Sequence, residues 1–198
     1  MDIIVADGSD PVNVRPYHTS PSDCQLITTI LDEWRSDGVI SDSCFPYASP
    51  VLLVNKSSGD KRLCVDYRRL NDQTVTLPYP MPDVDEQLVA LAGGSIFTSL
   101  DLSNGFLQIP LTEKAKEKLA FVTENITAKF ERMPFGLKGA PGIFQKLMNI
   151  IFKDLKESSV VKTYLDDIII PSANWDEMIR DLQKVLETLV KARLTLKP

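Results

Sequence analysis

An α+β fold is predicted, because patterns typical of strands and of helices interleave along the 198 residues without the regular alternation of a parallel βαβ array. Hydrophobic residues make up 43% of the chain, which is enough to bury a sizeable core and argues against global disorder. The length suits one large domain or a pair of tightly joined subdomains. We find neither an internal repeat nor a low-complexity tract.

The individual elements follow from apolar spacing and from turn residues. Residues 1–21 are rich in Asp, Ser and Pro and are expected to be extended. Helices are predicted from an N-cap at Ser22 to Gly38 and over residues 83–91, 143–156 and 175–192. Strands are predicted at 51–54 and 63–67 around a turn at 56–60, at 96–101, at 121–124 and 129–133, and on both sides of 164–167. Prolines make 77–82 an extended connector, and 106–111 is extended or begins a helix.

Composition excludes several classes of function. The cysteines, Cys24, Cys44 and Cys64, are odd in number and form no CxxC pair, which indicates reduced thiols in an intracellular protein. His18 is the only histidine, so a Ser-His-Asp triad or a His-rich zinc site is nearly excluded. No apolar run approaches the ~20 residues of a membrane span, and no secretory signal is recognisable at the start.

The net charge of -5 argues mildly against binding of nucleic acid, because phosphate contacts favour a basic protein. The distribution of charge softens that objection. Five basic residues fall within the fourteen positions 56–69, with only two aspartates among them. These basic residues are Lys56, Lys61, Arg62, Arg68 and Arg69. They form a local basic patch in an acidic chain.

Two acidic sites end apolar, strand-like runs. Asp166 and Asp167 are adjacent and flanked by β-branched residues, and Asp101 follows the run 96–100. Each site taken singly is more often an exposed turn or a helix cap than a metal ligand. If the two strands are neighbours, however, the carboxylates are suitably placed for two metal ions ~3.5–4 Å apart, the spacing of two-metal phosphoryl transfer.

Five collinear motifs within residues 13–197 carry a specific resemblance. They are 46–50 (PYASP), 63–71 (LCVDYRRLN), 97–109 (FTSLDLSNGFLQI), 133–141 (MPFGLKGAP) followed by Phe144-Gln145, and 164–167 (YLDD). In this order they resemble the reverse transcriptase of gypsy-like LTR retrotransposons, which are relatives of retroviruses. The last motif alone is weak evidence, whereas five in the family's order are strong evidence.

The resemblance implies the fingers and palm of a right-hand polymerase, with a palm sheet built as a split βαβ (ferredoxin-like) unit. The expected division is an extended lead-in at 1–21, fingers at 22–95 and 113–138, and palm at 96–112 and 139–198. The reverse transcriptase domain would cover about 37–198. The chain stops in mid-pattern, so the thumb is expected to be absent and the grip on duplex to be weak.

The resemblance also implies a metal site. Asp101 and Asp166 would bind two Mg²⁺ ions, or Mn²⁺ in their place, with Asp167 assisting and the Leu102 carbonyl as a possible further ligand. Phe106 resembles the family's aromatic steric gate against a ribose 2′-hydroxyl. Without the family context, Phe106 reads nearly as well as an ordinary core residue.

Further residues are assigned to substrates by the same resemblance. Lys56 and Arg62 would reach the triphosphate of the incoming dNTP, although solvated hairpin charges are the ordinary reading. Phe135 and Gly136 would line the nucleotide pocket. Gln145 and Tyr164 would lie near template or primer, with a surface glutamine as the alternative for Gln145.

The function implied is RNA-directed DNA polymerase, with an RNA or DNA template and primer, dNTPs, and the protease, ribonuclease H and integrase regions of a Pol polyprotein as partners. The expected location is the cytoplasm, in virus-like particles. A non-catalytic binding module is the main alternative, and the presence of all three aspartates disfavours it. A telomerase-like or group II intron-like enzyme is the third hypothesis, but the Pro134-Phe135-Gly136-Leu137 segment fits the LTR branch better.

Overall fold

The computed structural model describes residues 1–55, 59, 61–76 and 78–197. The chain divides into two compact units, each assembled from two segments. The first unit contains residues 1–76 and 109–140, and the second contains 77–108 and 141–198. Within the described residues, no helix is both long and apolar enough to cross a membrane.

The elements alternate between the two units along the chain. In chain order they are α1 (Pro21–Ser36), β1 (Ile40–Asp42), β2 (Ser49–Asn55), β3 (Lys61–Val65), α2 (Arg68–Gln73), α3 (Val84–Ala90), β4 (Ile96–Asp101), a 3-10 helix (Gly105–Gln108), α4 (Glu113–Lys118), β5 (Ala120–Val122), β6 (Thr127–Phe130), α5 (Ala140–Ile151), α6 (Lys153–Glu157), β7 (Lys162–Tyr164), β8 (Asp167–Ser172) and α7 (Trp175–Ala192).

The first unit is built on a mixed sheet with strand order β1-β6-β5-β2-β3. All its pairings are antiparallel except β2 with β5, which is parallel. The predicted hairpin at 121–133 is present as β5 and β6, with shorter strands than expected. The Thr123 hydroxyl accepts hydrogen bonds from the Asn125 and Ile126 amides and so closes the turn. The predicted turn at 56–60 lies, apart from Gly59, outside the described residues.

The start of α1 was predicted two residues too late. Ser20, not Ser22, is the N-cap, and its hydroxyl accepts a hydrogen bond of 3.2 Å from the Asp23 amide. Pro21 then occupies the first helical position, where its missing N–H costs nothing. The lead-in before it is anchored by isolated bridges from Val5 to Thr74 and from Asn13 to Ala48.

The second unit contains a three-stranded antiparallel sheet with strand order β4-β8-β7. Since β8 pairs antiparallel with both neighbours, β4 and β7 run parallel with β8 inserted between them. With α5 between β4 and β7 in the chain, this is the split βαβ arrangement that was predicted. Ile168 and Ile170 of β8 are fully buried, and α7 packs on this strand with Val185 and Leu189 buried.

Two helices of this unit test the pattern-based predictions. The bounds of α7 agree with the prediction. The single helix predicted at 143–156 is instead α5 followed by α6, interrupted at the buried Phe152. Hydrogen bonds from the Phe152 amide to Met148 and from the Lys156 amide to Phe152 still span the interruption, so it is a local distortion. No Pro or Gly marks it in the sequence.

Candidate active site

The two acidic sites lie side by side at one end of the second unit's sheet. Asp101 is the last residue of β4 and Asp167 the first of β8, and the strand register places them directly opposite each other. Tyr164 is the opposite partner of Asp167 across the β7–β8 turn, which carries Asp166. The Leu102 amide is 3.4 Å from the Asp166 carbonyl oxygen, which links the chain after β4 to this turn.

The turn that carries the acid pair is strained and is held by a buried glutamine. Leu165 has a φ of +51°, in the left-handed region that residues other than Gly rarely adopt. Gln145 of α5 has no exposed area. Its Oε1 accepts a hydrogen bond of 2.8 Å from the Leu165 amide, and its Nε2 donates one of 3.2 Å to the Thr163 carbonyl. Gln145 therefore fixes both sides of the turn.

A polar network extends from Gln145 into the unit. Gln145 Nε2 also donates to Asn149 Oδ1 at 3.2 Å, and Asn149 Nδ2 donates to the Tyr79 hydroxyl at 2.7 Å. The Lys156 ammonium donates to the same Asn149 oxygen. Burial, with a smaller contribution from Lys162, lowers the pKa of Lys156 to about 8. Of this network only Gln145 was singled out from the sequence. Tyr79, Asn149 and Lys156 were not, because isolated polar side chains carry no sequence pattern.

The carboxylates repel one another. Burial raises the pKa of Asp167 above its ordinary value, and the neighbouring Asp166 and Asp101 raise it further. Asp101 is half exposed, and the Lys197 ammonium lies 3.7 Å from its Oδ2. Three acids and one lysine therefore leave an excess of negative charge at this end of the sheet, which favours a cation.

A close approach of neighbouring side chains favours Gly at position 105, the start of the 3-10 helix that follows β4. A Cβ on Gly105 would lie 3.0 Å from Phe144 Cζ and 3.3 Å from Asp166 Cβ. The next residue, Phe106, is half-buried, and its ring centroid lies 4.9 Å from that of Phe144. The predicted gate residue is thus positioned by an aromatic contact in the same unit as the aspartates.

The other predicted nucleotide contacts lie in the first unit. The Arg62 guanidinium lies over the Phe135 ring at 4.1 Å from its centroid. Gly136 has a φ of +88°, and its carbonyl accepts a hydrogen bond of 2.8 Å from Asn71 Nδ2. Asn71 Oδ1 also accepts from the Lys138 amide at 2.8 Å, so one side chain holds this loop. Lys56 lies outside the described residues.

The structure bears on the expectations for Tyr164, for Gln145 and for the basic patch. Tyr164 is partly exposed, as a contact with nucleic acid requires, but the surface reading of Gln145 is wrong because the side chain is fully buried. The same burial disfavours direct contact of Gln145 with template or primer. The predicted contact is otherwise untested and stays a prediction. Within the basic patch, Lys61 is paired with Asp23 and Arg68 with Asp66, so part of its charge is neutralised locally.

The fold resembles solved polymerase structures. The chain matches the crystal structure of a prototype foamy virus protease–reverse transcriptase mutant with a TM-score of 0.85 and 24% identity, covering 98% of this chain and 26% of that one. A foamy viral protease–reverse transcriptase in complex with double-stranded DNA matches with a TM-score of 0.86 and 25% identity, covering 98% and 34%. The predicted fold class, that of the fingers and palm of a right-hand polymerase, is confirmed by this likeness.

The sequence profile of the family described as reverse transcriptase (RNA-dependent DNA polymerase) matches residues 54–198. The chain belongs to this reverse transcriptase family. It is 38% identical over 190 residues to the retrovirus-related Pol polyprotein from transposon opus of Drosophila melanogaster, covering 93% of this chain and 19% of the relative. The Pol polyprotein from transposon gypsy of the same species is 34% identical over 192 residues, covering 94% and 18%. The predicted relationship to gypsy-like retrotransposons is confirmed. The chain spans less than a fifth of these relatives' length.

A metal ion at the three aspartates requires enough oxygen ligands. Among the described residues, no group of three or more His, Cys, Asp or Glu side chains could hold a metal ion. Mg²⁺ needs less, since it is usually bound by one or two carboxylates together with waters and a ligand's phosphates. The facing Asp101 and Asp167 and the neighbouring Asp166 supply such oxygens. The residues therefore fit Mg²⁺ whose coordination is completed by a phosphate-bearing ligand.

Proposed function

We propose that this chain is the polymerase part of a gypsy-like Pol polyprotein and acts as an RNA-directed DNA polymerase, adding dNTPs to a primer 3′-hydroxyl. The observation that carries the proposal is the direct opposition of Asp101 and Asp167 at the end of a split βαβ sheet. Family membership independently supports the same reaction. Because the chain spans less than a fifth of these relatives' length, the activity of the whole protein is also a proposal.

Asp101 and Asp166 would hold two Mg²⁺ ions, with Asp167 and the Leu102 carbonyl contributing, and Mn²⁺ is an acceptable substitute. Such ions would supply a lowered pKa at the primer hydroxyl and neutralisation of charge on the triphosphate and the leaving pyrophosphate. Neighbouring residues of the chain would orient these carboxylates towards the ions. Gln145 fixes the turn of Asp166, and the partial exposure of Asp101 leaves it accessible to ligands.

We assign the first unit to the fingers and the second to the palm. This assignment differs from the predicted division, since residues 78–95 group with the sheet that bears the aspartates, whereas 109–112 and 139–140 group with the first unit. Arg62, Phe135, Gly136 and Lys56 would then bind the dNTP from the fingers, with Phe106 as the gate in the palm. The contact of Arg62 with Phe135 supports this role, because it orients a guanidinium suited to bidentate phosphate binding.

The proposed partners follow from the relatives. One foamy viral protease–reverse transcriptase is described in complex with an RNA/DNA hybrid and another with double-stranded DNA. We propose a primed RNA or DNA template as the corresponding partner here, with Tyr164 near it. The remaining regions of a Pol polyprotein, including protease, ribonuclease H and integrase, would be linked to this chain, and the parent would act in cytoplasmic virus-like particles.

Primer extension with Mg²⁺ on an RNA template tests the proposal, using this chain and a longer form extended through its parent reading frame. Asp101→Asn and Asp166→Asn each remove a charge from the facing acids, and we expect incorporation to fall at least about 100-fold in whichever form is active. Asp176→Asn in the exposed first turn of α7 is the matched control and should retain activity.

The two forms separate chemistry from duplex binding. Activity confined to the longer form would locate the deficit in the grip on primer–template. If a folded longer form incorporates no dNTP on any primed template, or if Asp166→Asn leaves incorporation intact, the proposed function is wrong.

A further inference from the structure

Gln108, at the end of the 3-10 helix, joins the chain after β4 to a segment near residue 195. Its Oε1 accepts a hydrogen bond of 2.7 Å from the Thr195 amide. Its Nε2 donates to the Ser103 carbonyl at 2.7 Å and to the Thr195 carbonyl at 2.9 Å. The side-chain amide thus bonds to two chain segments that are 92 positions apart, Ser103 and Thr195.

The segment at 195–197 runs alongside the end of the acid strand. The Ser103 amide donates to the Thr195 carbonyl at 3.0 Å, and the Lys197 amide donates to the Asp101 carbonyl at 2.9 Å. Between these bonds, Leu102 and Leu196 form an antiparallel bridge. Residues 195–197 therefore pair with the chain just after β4, at the point where the β4–β8 pairing ends at Asp101.

We propose that Gln108 is a positioning residue that holds the 195–197 segment against residues 101–103 and thereby fixes the backbone of Asp101 and Leu102. The held segment also keeps the Lys197 ammonium beside the Asp101 carboxylate. The consequence for metal binding and catalysis rests on the proposed function. The clamp, which consists of the hydrogen bonds of Gln108 to Ser103 and Thr195, does not depend on the proposed function.

The chemistry of the clamp requires a side-chain amide of this length. A glutamine offers an acceptor and two donors on one planar group, which matches the N–H and two C=O groups that it meets. Glutamate would lack both donors and would place a charge against two carbonyl oxygens. Asparagine is one methylene shorter, and methionine keeps the shape of the side chain but has no N–H donor.

Gln108 and Gln145 act on different acids. Gln108 bonds to the segment that follows Asp101, whereas Gln145 bonds to both sides of the turn that carries Asp166. Substitutions at the two glutamines should therefore loosen different backbone amides. Gln183, which bonds to Glu187 on the exposed face of α7, provides a matched glutamine outside both arrangements.

Hydrogen exchange on the whole chain, with Gln108→Met, Gln145→Met and Gln183→Met compared with the parent, tests the clamp. In Gln108→Met we expect the Ser103, Thr195 and Lys197 amides to exchange at least roughly fivefold faster, and the Leu165 amide to be unchanged. Gln145→Met should show the reverse pattern, and Gln183→Met neither. If Gln108→Met does not fold, Gln108→Asn, which keeps a side-chain amide, gives the same readout.

A Mn²⁺ titration followed by electron paramagnetic resonance tests the positioning role without turnover. We expect Gln108→Met to weaken binding about tenfold, as loss of a supporting residue behind metal ligands does. In the active form, kcat should fall by a similar factor with KM for dNTP changing less than twofold. Unchanged exchange at Thr195 overturns the clamp, and faster exchange with unchanged Mn²⁺ binding overturns the positioning role. A parent that neither binds Mn²⁺ nor incorporates dNTP refutes the proposed function, while the exchange data still decide the clamp.

Discussion

Asp66 is a carboxylate held by four hydrogen bonds, although it is not part of the candidate active site. The Arg68 amide and Nε donate to Oδ1, while Arg68 Nη2 and the Tyr17 hydroxyl donate to Oδ2. The side chain is only 9% exposed. The Arg68 hydrogen bonds, opposed by burial and helped by Tyr17, hold the pKa of Asp66 well below its ordinary range.

Asp66→Asn should lower the free energy of unfolding by roughly 1.5–3 kcal/mol at pH 7, the usual contribution of a hydrogen bond to a charged group. Because the folded pKa lies below the unfolded one, the stabilisation is complete above the unfolded pKa of about 4 and is lost as pH falls towards the folded value. Urea denaturation from pH 7 to pH 3 measures this loss. Asp72→Asn, an exposed neighbour, should differ from the parent by no more than about 0.5 kcal/mol at any pH.

Gly105 offers a second prediction at single-residue scale. In Gly105→Ala the new methyl group would press on Phe144 and Asp166, so we expect a loss of roughly 1–3 kcal/mol in stability and weaker Mn²⁺ binding. Thermal unfolding and Mn²⁺ titration measure the two effects. Gly93→Ala is the control, since a Cβ there meets no atom within 4 Å. Equal behaviour of the two variants would contradict the close approach.

The N-terminus of α7 gives a prediction at the scale of an element. Asn174 accepts a hydrogen bond of 3.0 Å from the Glu177 amide, and Glu177 Oε2 accepts one of 3.0 Å from the Ala173 amide. Asn174→Ala should therefore destabilise the second unit by about 1 kcal/mol. Chemical denaturation measures this, and Asn174→Asp, which retains a capping oxygen, should lose much less. A similar loss in both variants would show that the cap is not the cause.

The sequence could predict elements where local chemistry determines them. α7 has an Asn cap and a clear apolar stripe, and its bounds were predicted correctly. The interruption at Phe152 was missed because buried packing, not Pro or Gly, accompanies it. The parallel pairing of β2 with β5 joins positions 49 and 121 and has no local signal.

The site shows the same division between local and distant information. Motif spacing singled out Asp101, Asp166 and Asp167, and the strand register then brought Asp101 and Asp167 together. Gln145 was also singled out, but as a contact for nucleic acid, because a sequence does not reveal which polar side chains are buried. Gln108 belonged to a recognised motif without a predicted role, since its partners near residue 195 become neighbours only in the fold.

For the whole molecule, the net charge of -5 and the internal pairing of its basic residues predict weak, salt-sensitive binding of primed template. For a binding site that neutralises about two to three phosphates, the dissociation constant should rise roughly 10- to 40-fold between 50 and 200 mM salt. Asp23→Asn releases Lys61 and should tighten binding. Asp154→Asn changes the net charge equally at an exposed position of α6 and should tighten it less. Fluorescence anisotropy measures both, and equal effects would exclude a specific role for Lys61.

The division of the chain has a consequence for biosynthesis. The polypeptide passes from one unit to the other after residues 76, 108 and 140, so each unit is assembled from segments that are separated in the sequence. A ribosome that has reached residue 108 has released a complete version of neither unit. The first unit can close only after residue 140 emerges, and the sheet that bears the aspartates only after β8 has been made. Until these later segments have emerged, the nascent chain exposes apolar strands without their partners, and a chaperone that binds such strands can act during this interval.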